Sequence, residues 1–377
     1  MKSISTIRRE VFDFLAIEPG MNIAIVSDND EDGLASAVQA KLFVDMSGAQ
    51  SKIFFYDHSM KQARFFDDFN KIKFDRTLFL DLNESFISDV LEHVGENVGK
   101  FLVIDHHETL PLNFVQTEYF SIKPWDFSKV TPSHYPASKM VYDIFGGIDW
   151  VCAIGVIGDY AFKEWARFIK QVSKNHSISE EELHELAGIV GCISAAHSRK
   201  ITDLFEFLCS AKSPRDLFDS WFSDLKKEFD EALLREKKRF YTEAIFVEDA
   251  NVYFFETKPN FRSKLSNLIS KELSSSTIVI FEDQGVNFGA SFRRNDFKVN
   301  CGKLAFFAVQ EAKKGRGGGH IPAAAATFPR TYLTRLKEKT LFYLRENHPT
   351  KIPRSKSNKG ELITKQNIKI KKTKKRK

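Results

Sequence analysis

Asn22–Ala37, NIAIVSDNDEDGLASA, decides how this chain is read. Asn22–Ser27 is a short, continuous apolar run of the kind that forms a strand buried on both faces. A polar turn, DNDEDG, closes it, and Leu34–Met46 then places apolar residues at helical spacing. The turn carries Asp28, Asp30 and Asp32, two residues apart, followed by Gly33. Two readings are open. DNDEDG is either a polar loop with Asp32 as the N-cap of the helix, or a set of carboxylates projecting from one side of an extended turn.

The neighbouring sequence repeats the pattern. Lys52–Tyr56 (KIFFY), Thr77–Leu82 (TLFLDL) and Lys100–Ile104 (KFLVI) are further apolar runs, separated by helix-length stretches around Met60–Asn70 and Glu84–Val94. Alternating strands and helices imply a parallel sheet covered on both faces, with the ligand site beyond the C-terminal strand ends. Asp81 closes one of these runs, and Asp105, His106 and His107 follow another. Acids and imidazoles gathered at one sheet edge repel unless cations bridge them. An oxygen-rich donor set with one or two histidines suits Mn²⁺ or Mg²⁺ better than structural zinc.

Beyond this region, helices are expected at Ala137–Phe145, Trp150–Ala161, Glu180–Ala196 and Pro214–Lys238, with Ser213–Tyr241 as a helical connector. A second αβ pattern follows. Its strands are Ala244–Val247, Val252–Phe255, Thr277–Phe281 and Val286–Phe292, its helices lie near Arg262–Leu273 and Lys303–Gln310, and a glycine cluster runs from Gly315 to His320. The expected organisation is an α/β parallel-sheet domain over 1–200, a connector over 201–242, a smaller α/β domain over 243–348 and a disordered Lys-rich tail over 349–377.

Composition narrows the class. Of 377 residues, 42% are hydrophobic and 28% charged, which excludes wholesale disorder. No apolar run approaches the ~18–20 residues of a membrane span, and the N-terminus lacks a signal-peptide core. None of the four cysteines forms a CxxC pair, which points to a reducing cytoplasm rather than a disulfide framework. The net charge of +6 is misleading: Thr350–Lys377 carries ten Lys, two Arg and one Glu, +11 in all, leaving −5 on the rest. The tail reads either as a solvated end or as an arm that holds nucleic acid by counterion release.

In this order, the motifs resemble the DHH phosphoesterase superfamily. Asp28-Asn-Asp30-Glu-Asp32-Gly33-Leu-Ala-Ser36-Ala37 is similar to its first motif, with Asp28 where the family has histidine. Asp81, Asp105-His106-His107 and the Gly-Asp ending at Asp159 are similar to the next three. Ser291–Arg294 (SFRR) and GGGH followed by alanines (Gly317–Ala326) resemble the DHH-associated C-terminal domain. The RecJ-like nuclease branch looks nearest. The resemblance implies two divalent cations, Mn²⁺ preferred and Mg²⁺ possible, bridged by Asp81. Asp28 and Asp30 would complete one site; Asp32, His106 and Asp159 would complete the other. It further implies that His107 faces the scissile phosphate, that Asp105 orients the histidines, and that Arg293, Gly317, Gly318, Gly319 and His320 bind substrate.

The leading expectation is thus a metal-dependent single-strand exonuclease acting in DNA repair or replication, with single-stranded nucleic acid as substrate and replication or repair proteins as partners. A small-substrate enzyme is the alternative, cleaving short oligoribonucleotides or 3′-phosphoadenosine 5′-phosphate. A non-catalytic replication scaffold is the third, and Asp28 is the feature pointing to it. His58, His134, His176, His184 and His197 are read as structural or solvated, and Asn83 and Glu84 as loop formers. The 36 phenylalanines are mainly core, with Phe292 or Phe297 as candidates to stack on bases.

Overall fold

The structure, a computed structural model, describes residues 1–56, 63–107 and 117–347. His58 and the tail over 349–377 lie outside the described residues. The chain divides into two compact units, Met1–Lys238 and Arg239–Lys377.

The first unit runs α1 (Ile4–Leu15), β1 (Asn22–Asp28), α2 (Glu31–Met46), β2 (Gln50–Tyr56), α3 (Ala63–Phe69), β3 (Arg76–Leu80), α4 (Glu84–Val94), β4 (Lys100–Ile104) and β5 (Tyr119–Ile122). These strands form one all-parallel sheet in the order β2-β1-β3-β4-β5. Helices α5 (Ala137–Phe145), α6 (Asp149–Gly158), α7 (Ala166–His176), α8 (Glu180–Ala196), α9 (Ile201–Ser210), α10 (Pro214–Phe218) and α11 (Trp221–Glu243) follow.

The apolar runs divide residue by residue between two cores. Ile23, Ile25, Leu78, Leu80, Leu102 and Ile104 enter one core with α2, α5, α6 and α8. Their alternating neighbours Ala24, Val26, Phe79, Phe101 and Val103 enter the other, with Phe66, Phe69, Ile87 and Val90. Period-two alternation across a sheet covered on both faces explains why these strands read as unbroken hydrophobic runs. Strand order reverses at β1, which lies between β2 and β3, so a crevice opens at the C-terminal ends of β1 and β3. Asp28 and Asp81 stand there.

Several elements differ from the sequence reading. In this unit β5, α7 and α9 had no counterpart there, and the helix expected over Pro214–Lys238 breaks at Asp219–Ser220 into α10 and α11. Residues of the expected connector pack into the first unit: Leu204, Phe205, Leu208, Leu217 and Phe222 belong to its main core.

The second unit contains β6 (Ile245–Val247), β7 (Val252–Thr257), α12 (Arg262–Glu272), β8 (Thr277–Asp283), β9 (Asn287–Arg293), α13 (Cys301–Val309), β10 (Arg316–Gly319), β11 (Ala323–Pro329) and α14 (Leu333–Asn347). Its sheet, β10-β11-β9-β8-β7-β6, is mixed, with only β7 and β8 parallel. Both units are α/β, the first with a parallel sheet and the second smaller. Among the described residues, no helix is long and apolar enough to cross a membrane.

The β1–α2 turn is tied down by small residues. A Cβ on Gly33 would lie 2.4 Å from the Asp28 carbonyl oxygen, so only glycine lets α2 start this close to β1. Ser27 Oγ donates to the Gly33 carbonyl at 2.7 Å and to the Leu80 carbonyl at 3.2 Å, joining α2, β1 and β3. Gly33→Ala is therefore expected to cost about 1–3 kcal/mol in denaturant unfolding, as the first turn of α2 is pushed off the strand end. An unchanged midpoint would show that the turn has slack.

Candidate metal centre

The turn resolves the first ambiguity against Asp32 as the helix cap. Asp30 is the N-cap of α2, its Oδ1 accepting from the Asp32 and Gly33 N–H groups at 3.0 and 2.9 Å. Asp32 sits one turn position further and is buried. Its carboxylate spans to another helix, Oδ2 accepting from the Ala137 N–H at 2.8 Å and Oδ1 from the Ser138 N–H at 2.9 Å. The positive end of α5 thus steadies a buried anion. Asp28 Oδ1 accepts from the adjacent Asn29 N–H at 2.6 Å.

Asp81 follows β3 in a left-handed backbone conformation, φ 55°. A non-glycine residue held there costs free energy and persists only where the surroundings dictate it. Its N–H donates to the Ile104 carbonyl at 3.0 Å, continuing the ladder to β4. His106 Nε2 lies 3.5 Å from Asp81 Oδ1, and His106 Nδ1 lies 3.6 Å from Asp159 Oδ2. All three elements end at one place.

Two overlapping donor groups result. Ligand atoms of Asp81, His106 and His107 lie within 4.8 Å of one another, and so do those of Asp32, His106 and Asp159. The second group is three of the four residues that the family resemblance assigns to one ion, and Asp81 touches it through His106. Asp28 and Asp30 stand outside both groups, their carboxylates turned to local N–H groups in the turn. His107, expected to face substrate, lies in the first group, and its Nδ1 is bonded to Asp105 Oδ1 at 2.7 Å.

The residues fit a divalent cation on structural grounds. Asp81 Oδ1, His106 Nδ1 and Asp159 Oδ2 are fully buried and have no hydrogen-bond partner among the described residues. Buried polar atoms left this way cost roughly 1–3 kcal/mol each. Asp81 Oδ1 and Asp159 Oδ2 flank the two ring nitrogens of His106, a demand that cations beside this imidazole would meet. The acid–base properties agree. Burial, reinforced by the neighbouring Asp28, Asp32 and Glu31 charges, pushes Asp30 up to about 7. Burial and the Asp32, Asp30 and Glu31 charges push Asp159 up to about 9, and Asp81 is raised well above the carboxylate range for the same reasons. Burial lowers His106. The raised carboxyl shifts disfavour the negative charge that a cation would restore, and the lowered His106 favours the neutral imidazole that ligates metal.

Asp105 behaves oppositely. Burial works to raise it, but His107 and Lys123 outweigh burial and hold it low. Its hydrogen bond in turn raises His107. Lys123 was missed by sequence reasoning. It follows β5, and its Nζ donates to Asp105 Oδ2 at 2.6 Å and pairs with Glu84 Oε1 at 2.7 Å. Glu84, read as a loop former, starts α4 and is buried in this contact. A strand assignment over Tyr119–Ile122 would have flagged Lys123, since it would then have stood at the same sheet edge as Asp28, Asp81 and Asp105. The remaining histidines are placed structurally: His176 Nε2 bonds Asp149 at 2.6 Å, His184 packs against Phe162, and the His134 carbonyl accepts from Trp165 Nε1.

In the second unit, Arg293 ends β9, with Nε donating to Asn267 Oδ1 at 2.8 Å and Nη1 to the Phe292 and Ala324 carbonyls at 3.1 Å. Arg294 is buried and paired with Asp296. His320 is exposed beyond β10, its backbone tied to Ala323 and Gly302. The glycines separate by role. A Cβ on Gly317 would meet the Ala305 carbonyl oxygen at 2.6 Å, and one on Gly319, at φ 143°, would meet the Ala323 carbonyl oxygen at 2.6 Å. Those two are required by the fold itself. Only Gly318 faces open space, so its lack of a side chain has no packing cause. Phe292 is wholly buried in the second unit's core and offers no surface for stacking, whereas Phe297 is 65% exposed.

No protein-family model and no curated protein matches the sequence. Solved structures do. Thermus thermophilus RecJ in complex with Mn²⁺ aligns over 93% of this chain and 55% of its own, at TM-score 0.68 and 13% identity. An exonuclease RecJ bound to manganese aligns over 94% and 96%, at 0.63 and 14%. A DHH domain from a member of a ribosomal-protein family aligns over 90% and 89%, also at 0.63 and 14%. The chain has the RecJ-like DHH fold. It spans about half the length of the Thermus RecJ chain. Agreement at such low identity is agreement of fold, and the DHH fold brings the ends of β1, β3 and β4 together as the motif order implied.

These shifts predict an unusual pH response of the metal-free protein. Carboxyls whose folded pKa is raised stay protonated where the unfolded chain has released its protons, so stability is lost as pH rises. The fall extends through about 7 for Asp30 and about 9 for Asp159. Between pH 7 and 9, where a lowered His106 no longer contributes, the melting temperature of chelator-treated protein should drop, and millimolar Mg²⁺ should abolish the drop. Asp81→Asn, uncharged and tolerant of the left-handed backbone, should flatten it. An equal drop in that variant would separate Asp81 from the cluster.

Proposed function

We propose that the chain is a divalent-metal-dependent phosphodiesterase that degrades single-stranded nucleic acid from an end, as a RecJ-like exonuclease. The observation that carries this reading is the placement of Asp81 and Asp159 on either side of His106, at the crevice of a DHH fold, with buried atoms that have no hydrogen-bond partner among the described residues. Asp32, Asp81, His106 and Asp159 would hold cation, with Asp28 and Asp30 completing the acidic wall. Bound there, divalent cations would lower the pKa of a water molecule, offset the phosphate charge and stabilise the leaving oxygen. Asp105, held ionised, keeps a proton on His107 Nδ1 and leaves Nε2 as the ring nitrogen available to substrate. In the second unit, Arg293 would bind a phosphate, His320 would contribute an imidazole, and Gly318 would admit a close backbone approach.

A compact substrate is the second reading. The net −5 outside the tail favours a short oligonucleotide over a long polyanion track. Asp28 in the family's histidine position adds one more negative charge to the metal site. It predicts that Asp28→His raises turnover or widens metal use.

The test is cleavage of single-stranded DNA and RNA, from dinucleotides to about thirty nucleotides, labelled at either end, with Mn²⁺ or Mg²⁺. Metal-dependent laddering is expected, and Asp81→Asn should reduce it by about 100-fold or more, as loss of a transition-state electrostatic contact does. Fastest turnover on dinucleotides would select the small-substrate reading. Metal-independent binding with no cleavage of any substrate would refute the enzyme and leave a non-catalytic DHH protein.

A further inference from the structure

We infer that Lys123 is a positioning residue for His107, fixing the histidine at both its main chain and its ring. The inference rests on the proposed phosphodiesterase reading for its kinetic consequence, though not for its geometry. Lys123 is 5% exposed, and its ammonium has three donors. One reaches Asp105 Oδ2 at 2.6 Å, one Glu84 Oε1 at 2.7 Å, and one the His107 carbonyl at 3.1 Å. The other oxygen of Asp105 accepts from His107 Nδ1 at 2.7 Å. The same cation therefore grips the backbone of His107 and the carboxylate that grips its ring.

The lysine is itself held. Its backbone N–H donates to Asp126 Oδ2 at 2.8 Å, and the Asp126 N–H returns to the Lys123 carbonyl at 3.1 Å, across the Pro124–Asp126 turn. Strand β5 thereby sets the position of a residue that follows β4. Stability alone does not account for the arrangement. A buried lysine between two carboxylates gives up its hydration, and apolar replacement of such groups is often neutral or stabilising. What an apolar cluster could not do is hold the His107 ring and backbone by directed hydrogen bonds. Asp105 Oδ1 fixes the ring through Nδ1, while Lys123 fixes Asp105 Oδ2 and the His107 carbonyl together. His107 is half exposed, and its ring's hydrogen bond among the described residues is the one to Asp105.

Removing Lys123 alone would leave Asp105 and Glu84 in repulsion, so the variant is made in a Glu84→Gln background. Relative to E84Q, the E84Q/K123M protein should lose about 10–100-fold in kcat. Its KM and Mn²⁺ affinity should stay within about twofold, since no proposed ligand is touched. In a His107→Ala background the same change should cost nothing further, because Lys123 acts through that ring. An equal loss with and without His107 would overturn the inference. Two spectroscopic readouts hold regardless of turnover. In ¹⁵N-labelled wild-type protein, His107 should show Nδ1–H and the Lys123 ammonium should exchange slowly with water; a fast-exchanging ammonium, or Nε2–H on His107, would overturn the inference even if no variant folds. A wild-type protein with these signatures and no phosphodiesterase activity would refute the proposed function and leave the positioning intact.

Discussion

Electrostatic repulsion among carboxylates at one sheet edge is the constraint around which the first unit is arranged. Asp28, Asp30, Asp32, Asp81 and Asp159 are brought together by β1, α2, β3 and α6, and like charges in a partly dry crevice disfavour one another. The protein answers in two ways. Asp30 and Asp32 spend their oxygens on helix N-termini, the first capping its own helix and the second receiving two N–H groups of α5. Asp81, Asp159 and His106 keep buried atoms with no hydrogen-bond partner among the described residues, a demand that a divalent cation would meet.

A second arrangement lies beside the first with the opposite sign. Around Asp105 a buried lysine and an imidazole supply positive charge, so this carboxyl is held low while its neighbours are pushed high. Carboxyls in one pocket whose environments drive their protonation apart are suited to different tasks; the proposed division is metal holding on one side and imidazole orientation on the other. The crevice is where strand order reverses, so backbone topology delivers both sets of residues to the same place without long loops.

Much of this was legible in the chain. NIAIVS, TLFL and KFLVI are short, mostly apolar and each followed directly by an aspartate, which points to the parallel sheet and to one edge of it as the candidate site. What escaped had weak local signals. Tyr119–Ile122 (YFSI) is only four residues long, includes a serine and precedes Lys-Pro, so β5 and with it Lys123 did not stand out. The hairpin of β10 and β11 is built from glycines and alanines, residues of low strand propensity whose pairing is decided by the neighbouring β9. Phe292 alternates with Ser291 and Arg293 along β9, a pattern that suggests one exposed face, yet Ser291 and Phe292 are both buried. In the turn, the exchange of roles between Asp30 and Asp32 depends on α5, a hundred residues away in sequence. Such tertiary hydrogen bonds leave no mark in local spacing.

On these raised carboxyl values, protons occupy the cluster until a divalent cation displaces them. Calorimetric titration of Mn²⁺ into metal-free protein at pH 6, in buffers of different ionisation enthalpy, measures that exchange directly. Saturable binding with net proton release, reduced in Asp159→Asn, is the predicted result. Binding that releases no protons, or no binding at all, would contradict the account.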